Sequence, residues 1–216
     1  MLKYTAQEIT DQCGPAYFGR MGASISHDIK NCLAIMNENA GLMSDYLMMA
    51  QKGAPLDIER FSGIVKRIEK QIGRADGIVK SLNNFSHSMD KPEQQIDLDE
   101  AVGLALGLGA RIIANKSIQV NHTQAACKLY VNGSLFFLLF LIWSILENVM
   151  ENLASGAVLN ISSKEDGNKQ VCLSFQCEQP FASNFDRQAN SQTLDLFQAK
   201  IVLDDQYTKA DIVFGR

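Results

Sequence analysis

The sequence predicts an α+β chain. An antiparallel helical hairpin occupies residues 1–90, and an α/β sandwich with one face of its sheet covered by helices occupies residues 91–216. Three observations predict this. Two long apolar repeats at helical spacing, about Ala16 to Gln51 and Ile58 to Met89, are separated by little more than Lys52-Gly53-Ala54-Pro55. The polar, proline-containing Asp90-Lys91-Pro92-Glu93-Gln94-Gln95 then reads as a linker. Beyond it, short alternating strand patterns are mixed with helical ones, as in packed sheet and helix layers.

In the first half, Thr5 followed by Glu8 resembles a capping box that opens a short helix, and Gly14-Pro15 is expected to interrupt it. The next helix carries Ile25, Ile29, Cys32, Met36, Met43 and Tyr46 on a four-three repeat, with Asn39 in one seam position. Leu33, Ala40 and Leu47 widen this stripe. Gly53 and Pro55 stop the helix. The second helix repeats the pattern with Phe61, Val65, Ile68, Ile72, Ala75, Val79, Leu82 and Met89. One hairpin cannot cover both stripes, so two chains are expected to close a four-helix bundle as a homodimer.

In the second half, Gln95 to Leu98 is a short strand candidate, and Asp99 is placed to cap a helix through about Ala114. Ser117 to Asn121 and Lys128 to Val131 read as strands, and Ser134 to Leu153 as a strongly apolar helix. Ala157 to Ser163 and Gln170 to Cys177 alternate as strands, with Glu165-Asp166-Gly167-Asn168 as their hairpin turn. A helix from Thr193 to Val202 and a strand from Asp211 to Phe214 complete the pattern.

Composition excludes some functions. A formal net charge of −4 with no long basic run argues against nucleic acid, which needs a concentrated cationic surface. The N-terminal residues hold no apolar signal core. The longest apolar run, Leu135 to Leu146, is interrupted only by Ser144 and is shorter than the roughly 20 residues of a bilayer span. A buried helix, a soluble cytoplasmic protein and no membrane partner are expected. The cysteines (Cys13, Cys32, Cys127, Cys172, Cys177) have neither metal nor redox spacing and fit free thiols, so no metal is expected. Cys172 and Cys177 should point to opposite faces of their strand. The patch Met43, Met48, Met49 reads as packing.

Ser26-His27-Asp28-Ile29-Lys30-Asn31 carries the chemistry. With Ile25 and Ile29 on the seam, His27 falls on the outer face of its helix. A histidine that passes a phosphoryl group to another protein needs that exposure and one free ring nitrogen. Asp28 can accept a hydrogen bond from the other nitrogen and fix the tautomer. Asn31, at i+4, shares the face of His27, and Lys30 adds positive charge. The plain alternative is an ordinary surface histidine beside charged neighbours. His87 and His122 have no motif around them; His122 is expected in a polar loop.

This stretch resembles the H-box of two-component sensor histidine kinases: His, acid, any residue, Arg or Lys, Asn or Thr, Pro. Here Cys32 stands where Pro is usual. The resemblance covers most of the chain. It implies His27 as phosphoacceptor, Asp28 as its acidic partner and Asn31 in partner dephosphorylation. It also implies that the hairpin is a dimerisation and phosphoacceptor domain, and that the second half has the outline of the kinases' ATPase fold. Val131-Asn132-Gly133-Ser134 is similar to the turn before the N-box helix, and Asn148 and Asn152 are similar to the N-box asparagines that approach nucleotide and magnesium. Leu153 replaces the small residue that follows them. The alternative is that Asn148 and Asn152 are polar positions on an amphipathic helix.

The family's Asp-any-Gly-any-Gly element occurs nowhere in the chain. Its expected place, Gln176 to Arg187, contains no glycine, and only Gly156, Gly167 and Gly215 follow Asn152. Such glycines let backbone approach a phosphate closely. Gly103, Gly107 and Gly109 precede the N-box and fit close helix packing. The second half is therefore expected to be a degenerate ATPase-like domain with no cofactor and vestigial Asn148 and Asn152. The resemblance then implies a dimeric histidine phosphotransferase that shuttles a phosphoryl group between His27 and the Asp of response-regulator receiver domains. The alternatives are an ATP-dependent kinase with a divergent site and a non-catalytic dimeric adaptor.

Overall fold

A computed structural model describes residues 6–166, 169–181 and 190–215, with side chains from residue 14 onward. Helix α1 (Ala6–Gln51) runs without a break, so the interruption expected at Gly14-Pro15 does not occur. Proline inside a helix costs about 3 kcal/mol. The helix persists because the turns that follow are anchored: Tyr17, Met21 and Ile25 are buried in the main core. The Thr5–Glu8 capping box lies outside the described residues and side chains. Gly53 takes φ +91° just past the helix end, as a glycine stop requires.

Helix α2 (Ile58–Ser86) starts at Asp57, whose carboxylate accepts the Arg60 amide at 3.0 Å. A single 3-10 turn, His87–Met89, ends the hairpin. On α1 the expected seam is the covered one: Ile25, Cys32 and Asn39 are buried, and Ile29, Met36, Met43 and Tyr46 half-buried. Asn39 is held from both sides. Its amide donates to the Ile35 carbonyl at 2.7 Å, and Arg67 Nε of α2 donates to its Oδ1 at 2.9 Å. On α2 the seam differs from the expected one. Ile64, Ile68, Gln71, Ala75, Ile78, Leu82 and Phe85 are covered or half-covered, whereas Ile72 and Val79 are exposed. The apolar surface of α2 is two adjoining strips, and one hairpin covers one of them.

The second unit begins with β1 (Gln94–Asp97), which pairs antiparallel with β3 (Tyr130–Gly133). Helix α3 (Leu98–Leu108) is capped by Asp97, which accepts the Asp99 and Glu100 amides; Asp99 is not the cap. The expected continuous helix breaks at Gly109, and α4 (Ala110–Asn115) follows. A Cβ at Gly109 would lie 1.9 Å from the Trp143 ring, so only glycine lets the chain turn there. A Cβ at Gly107 would only touch Ser81, and one at Gly103 would meet nothing, so the close packing expected of this cluster is concentrated at Gly109.

A five-stranded mixed sheet follows. It contains β2 (Gln119–Thr123), β4 (Val158–Glu165), β5 (Val171–Cys177), β6 (Lys200–Leu203) and β7 (Lys209–Val213), in the order β2-β4-β5-β7-β6. Only the β2–β4 pair is parallel. Leu159, Ile161, Leu173, Phe175, Ala210 and Ile212 form its buried face. The opposite face is largely polar, with Asn121 bonded to Asn160 and Ser174 to Asp211. The register sets Cys177 beside Leu159 and Cys172 beside Lys164, on opposite faces as expected. The helix expected over 193–202 is a single short one, α6 (Ser191–Leu196), because Lys200-Ile201-Val202-Leu203 pairs with β7 as an edge strand. Gly167 and Asn168 of the expected hairpin turn lie outside the described residues.

Helix α5 (Leu135–Asn152) is the central buried helix, with Leu138, Leu139, Leu141, Ile142, Ile145, Leu146 and Val149 fully covered. Its apolar composition meets the length and hydropathy of a membrane span, and the fold buries most of it. The core does not stop at the linker. Tyr17 packs edge-on against Phe85, Phe136 and Phe140 at 5.4–5.8 Å, joining α1, α2 and α5 in one buried cluster. Arg20 of α1 pairs with Glu147 of α5 beside it.

Candidate functional site

The seam of α1 dictates where the side chains of Ser26 to Asn31 lie. Successive helical residues are 100° apart. With Ile25 and Cys32 turned inward, His27 stands on the far side and is exposed, as the sequence predicts. Asn31, one turn on, is exposed on nearly the same face, and Lys30 is exposed next to it. Asp28 is different. It is half-buried and lines a groove of about 300 Å³ between α1, α2 and α3, together with Arg74, Ser81 and Gly107. Among the described residues no hydrogen bond joins Asp28 to His27, because the two side chains diverge around the helix. The expected tautomer-fixing bond is therefore not formed in this state.

Arg74 is the residue that sequence reasoning missed. It is 46 positions from Asp28 in the chain, yet both line one groove. The hairpin register was the available signal. Counting back from Asn39, opposite Arg67, brings Asp28 level with Ile78, one turn from Arg74.

The two asparagines of the second unit are placed on the last turns of α5. Asn152 donates its amide to the Asn148 carbonyl at 2.8 Å, a bond within the helix. Asn148 is half-buried, and its Oδ1 is buried without a partner. Of the segment expected to contain nucleotide-binding glycines, Gln176 and Cys177 belong to β5 and Phe181 is fully buried. Residues 182–187 lie outside the described residues.

A second polar cluster sits between the helical layer and the sheet. Asp99, in the first turn of α3, is buried and accepts three hydrogen bonds. They come from His122 Nε2 at 3.0 Å, Ser163 Oγ at 2.5 Å and the Ala125 amide at 3.0 Å. His122 lies on β2, not in the polar loop expected for it. Both His122 and Ser163 donate to the carboxylate and no bond joins them to each other, so the cluster has the geometry of a clamp and not of a nucleophile–base pair. Asp97 nearby is subject to two opposing influences. Burial raises its pKa, but the Lys128 ammonium at 3.0 Å and the Glu100 and Asp99 amides outweigh this and hold it below the usual carboxylate range.

No family model matches this chain, and no curated protein matches it. Solved structures similar to it include histidine kinases. The Acinetobacter baumannii histidine kinase AdeS is 13% identical, with 82% of this chain and 94% of that one covered and a TM-score of 0.47. The cytoplasmic segment of histidine kinase QseC is 16% identical, with 67% and 95% covered and a TM-score of 0.45. Histidine kinase ThkA in complex with response regulator protein TrrA is 16% identical, with 98% and 66% covered and a TM-score of 0.46.

Proposed function

We propose that this chain is a histidine phosphotransfer protein of cytoplasmic two-component signalling, acting as a homodimer on response-regulator receiver domains. The observation that carries this reading is the exposed His27–Asn31 face of an H-box-like stretch on a long helical hairpin. The lone pair of the free imidazole nitrogen attacks phosphorus in a receiver's aspartyl phosphate. A P–N bond forms, the P–O bond to the aspartyl oxygen breaks, and the carboxylate leaves with the electron pair. The reverse step passes the phosphoryl group to a second receiver. Lys30 offsets charge on the incoming group, and Asn31 orients a phosphoryl oxygen. Asp28 acts from the groove wall, opposite Arg74.

The dimer reading is supported by the strips that one hairpin leaves uncovered. Leu33, Ala40 and Leu47 on α1 are exposed and recur every seven residues, as do the exposed Ile58, Ile72 and Val79 on α2 with half-buried Val65 between them. A seven-residue apolar repeat is what a second hairpin packs against. The competing kinase reading has one observation in its favour, the buried unpartnered Oδ1 of Asn148.

The deciding experiment is phosphotransfer from labelled receiver domains to wild type, His27→Gln and Ile72→Asp. The expected result is an acid-labile label on wild type and none on His27→Gln, with Ile72→Asp sedimenting as a monomer. A label that persists in His27→Gln refutes the site. Self-labelling of wild type from Mg-ATP supports the kinase, and receiver binding without any transfer supports the adaptor.

A further inference from the structure

We infer a binding site for a small organic oxyanion, a carboxylate or phosphate on a flat apolar body, at the start of α5. A pocket of about 450 Å³ lies there, between the linker after the hairpin and the end of α6. Ser134 is the N-cap residue of α5, with the extended backbone of such a residue, φ −83° and ψ 128°. An N-cap serine normally accepts an amide of the first turn. This one does not, and its side chain has no hydrogen-bond partner although the residue is only 8% exposed and lines the pocket. The first intrahelical bond is Leu138 N–H to Ser134 C=O at 3.0 Å. The amides before it, Leu135 to Phe137, have no acceptor among the described residues. A free hydroxyl on a mostly buried residue that lines the pocket, beside uncapped amides of an 18-residue helix, offers a set of donors to an acceptor.

The walls define the rest of the ligand. Phe137 and Phe197 flank the pocket, Phe197 held edge-on by Phe214 at 6.1 Å, and Met89 and Leu196 add further apolar surface. Gly133 has φ +150°, and a Cβ there would lie 2.5 Å from the Phe197 ring, so glycine is what allows this wall to close against the strand. Flat aromatic walls suit a planar apolar body. Glu93 on the rim opposes added negative charge, which limits the ligand to one anionic group at the helix end. Met89, Pro92 and Glu93 belong to the junction between hairpin and sheet unit. None of this depends on phosphotransfer by His27.

The test is a titration of the full-length protein with benzoate and with phenyl phosphate, followed by amide resonances. Phenol supplies the body without charge, and inorganic phosphate the charge without a body. The expected result is saturable shifts at Gly133 to Phe137 with at least one aromatic anion, at least tenfold tighter than with phenol or inorganic phosphate. Ser134→Ala should weaken this binding about tenfold, the worth of one charge-assisted hydrogen bond. Glu93→Gln, a rim change that leaves the fold intact, should tighten it several-fold. Preference for benzoate or phenyl phosphate identifies a carboxylate or phosphate ligand. The inference is overturned if neither aromatic anion gives saturable shifts there, or if Glu93→Gln leaves the affinity unchanged.

Discussion

Replacing Asp99 with Ala should destabilise the fold more than any other single polar substitution among the described residues. The carboxylate accepts from His122, Ser163 and the Ala125 amide, which tie the start of α3 to β2, β4 and the segment after β2. The alanine variant leaves three donors in a mostly buried layer with no acceptor. Each orphaned donor costs about 1–3 kcal/mol, and breaking a buried charged network costs about 3–5 kcal/mol in total. That is a large share of a typical stability of about 5–15 kcal/mol. The assay is urea unfolding followed by far-UV circular dichroism and by the emission of Trp143, the chain's single tryptophan, buried on α5. With a slope of about 2–3 kcal/mol/M, the midpoint should fall by about 1–2 M at unchanged slope. Asp99→Asn keeps one acceptor oxygen and should fall about half as far. Ser163→Ala and His122→Ala, combined with Asp99→Ala, should show strong non-additivity, because all three share one acceptor. A midpoint for Asp99→Ala within about 0.3 M of wild type would refute the clamp.

Two other predictions concern the same unit. Gly109→Ala places a methyl group inside the Trp143 ring volume and should cost about 1–3 kcal/mol by overpacking, read as a lower melting temperature with altered Trp143 emission. Asp97 has a folded pKa below its unfolded value of 3.8, so its contribution to stability is complete above that value and is lost as pH falls through the lower folded value. Asp97→Asn should therefore flatten the loss of stability below pH 4 and lower stability at neutral pH, measured by urea midpoints across that range.

Local signals made most of the elements legible. The helix stop at Gly53 and the period-two runs of β4 and β5 are short-range features, and each lies within a few residues of its expected place. The exposure of His27 also followed from the seam on α1, because one helical periodicity fixes both. What escaped were effects of partners distant in the chain. Pro15 is helical because Tyr17 and Met21 reach the core. Lys200 to Leu203 is a strand because β7 offers it an edge. Asp99 looks like a cap in sequence, and only the arrival of β2 and β4 turns it into the centre of a clamp. The groove containing Asp28 and Arg74 belongs to the same class, since no window of sequence contains both.

The aromatic joint of Tyr17, Phe85, Phe136 and Phe140 has a mechanical meaning. An arm that carries a reactive group toward a fixed acceptor and then withdraws needs a weak, wet joint, one that opens and closes many times at little cost. Here the joint is dry, interlocked ring against ring and braced by Arg20 on Glu147. Burial raises the pKa of the Tyr17 phenol, which keeps it neutral within the joint at any physiological pH. The sheet unit thus behaves as a buttress and not as an arm. Cutting the chain after the hairpin would strip Tyr17, Met21, Ile25 and Phe85 of their cover and leave an insoluble stump.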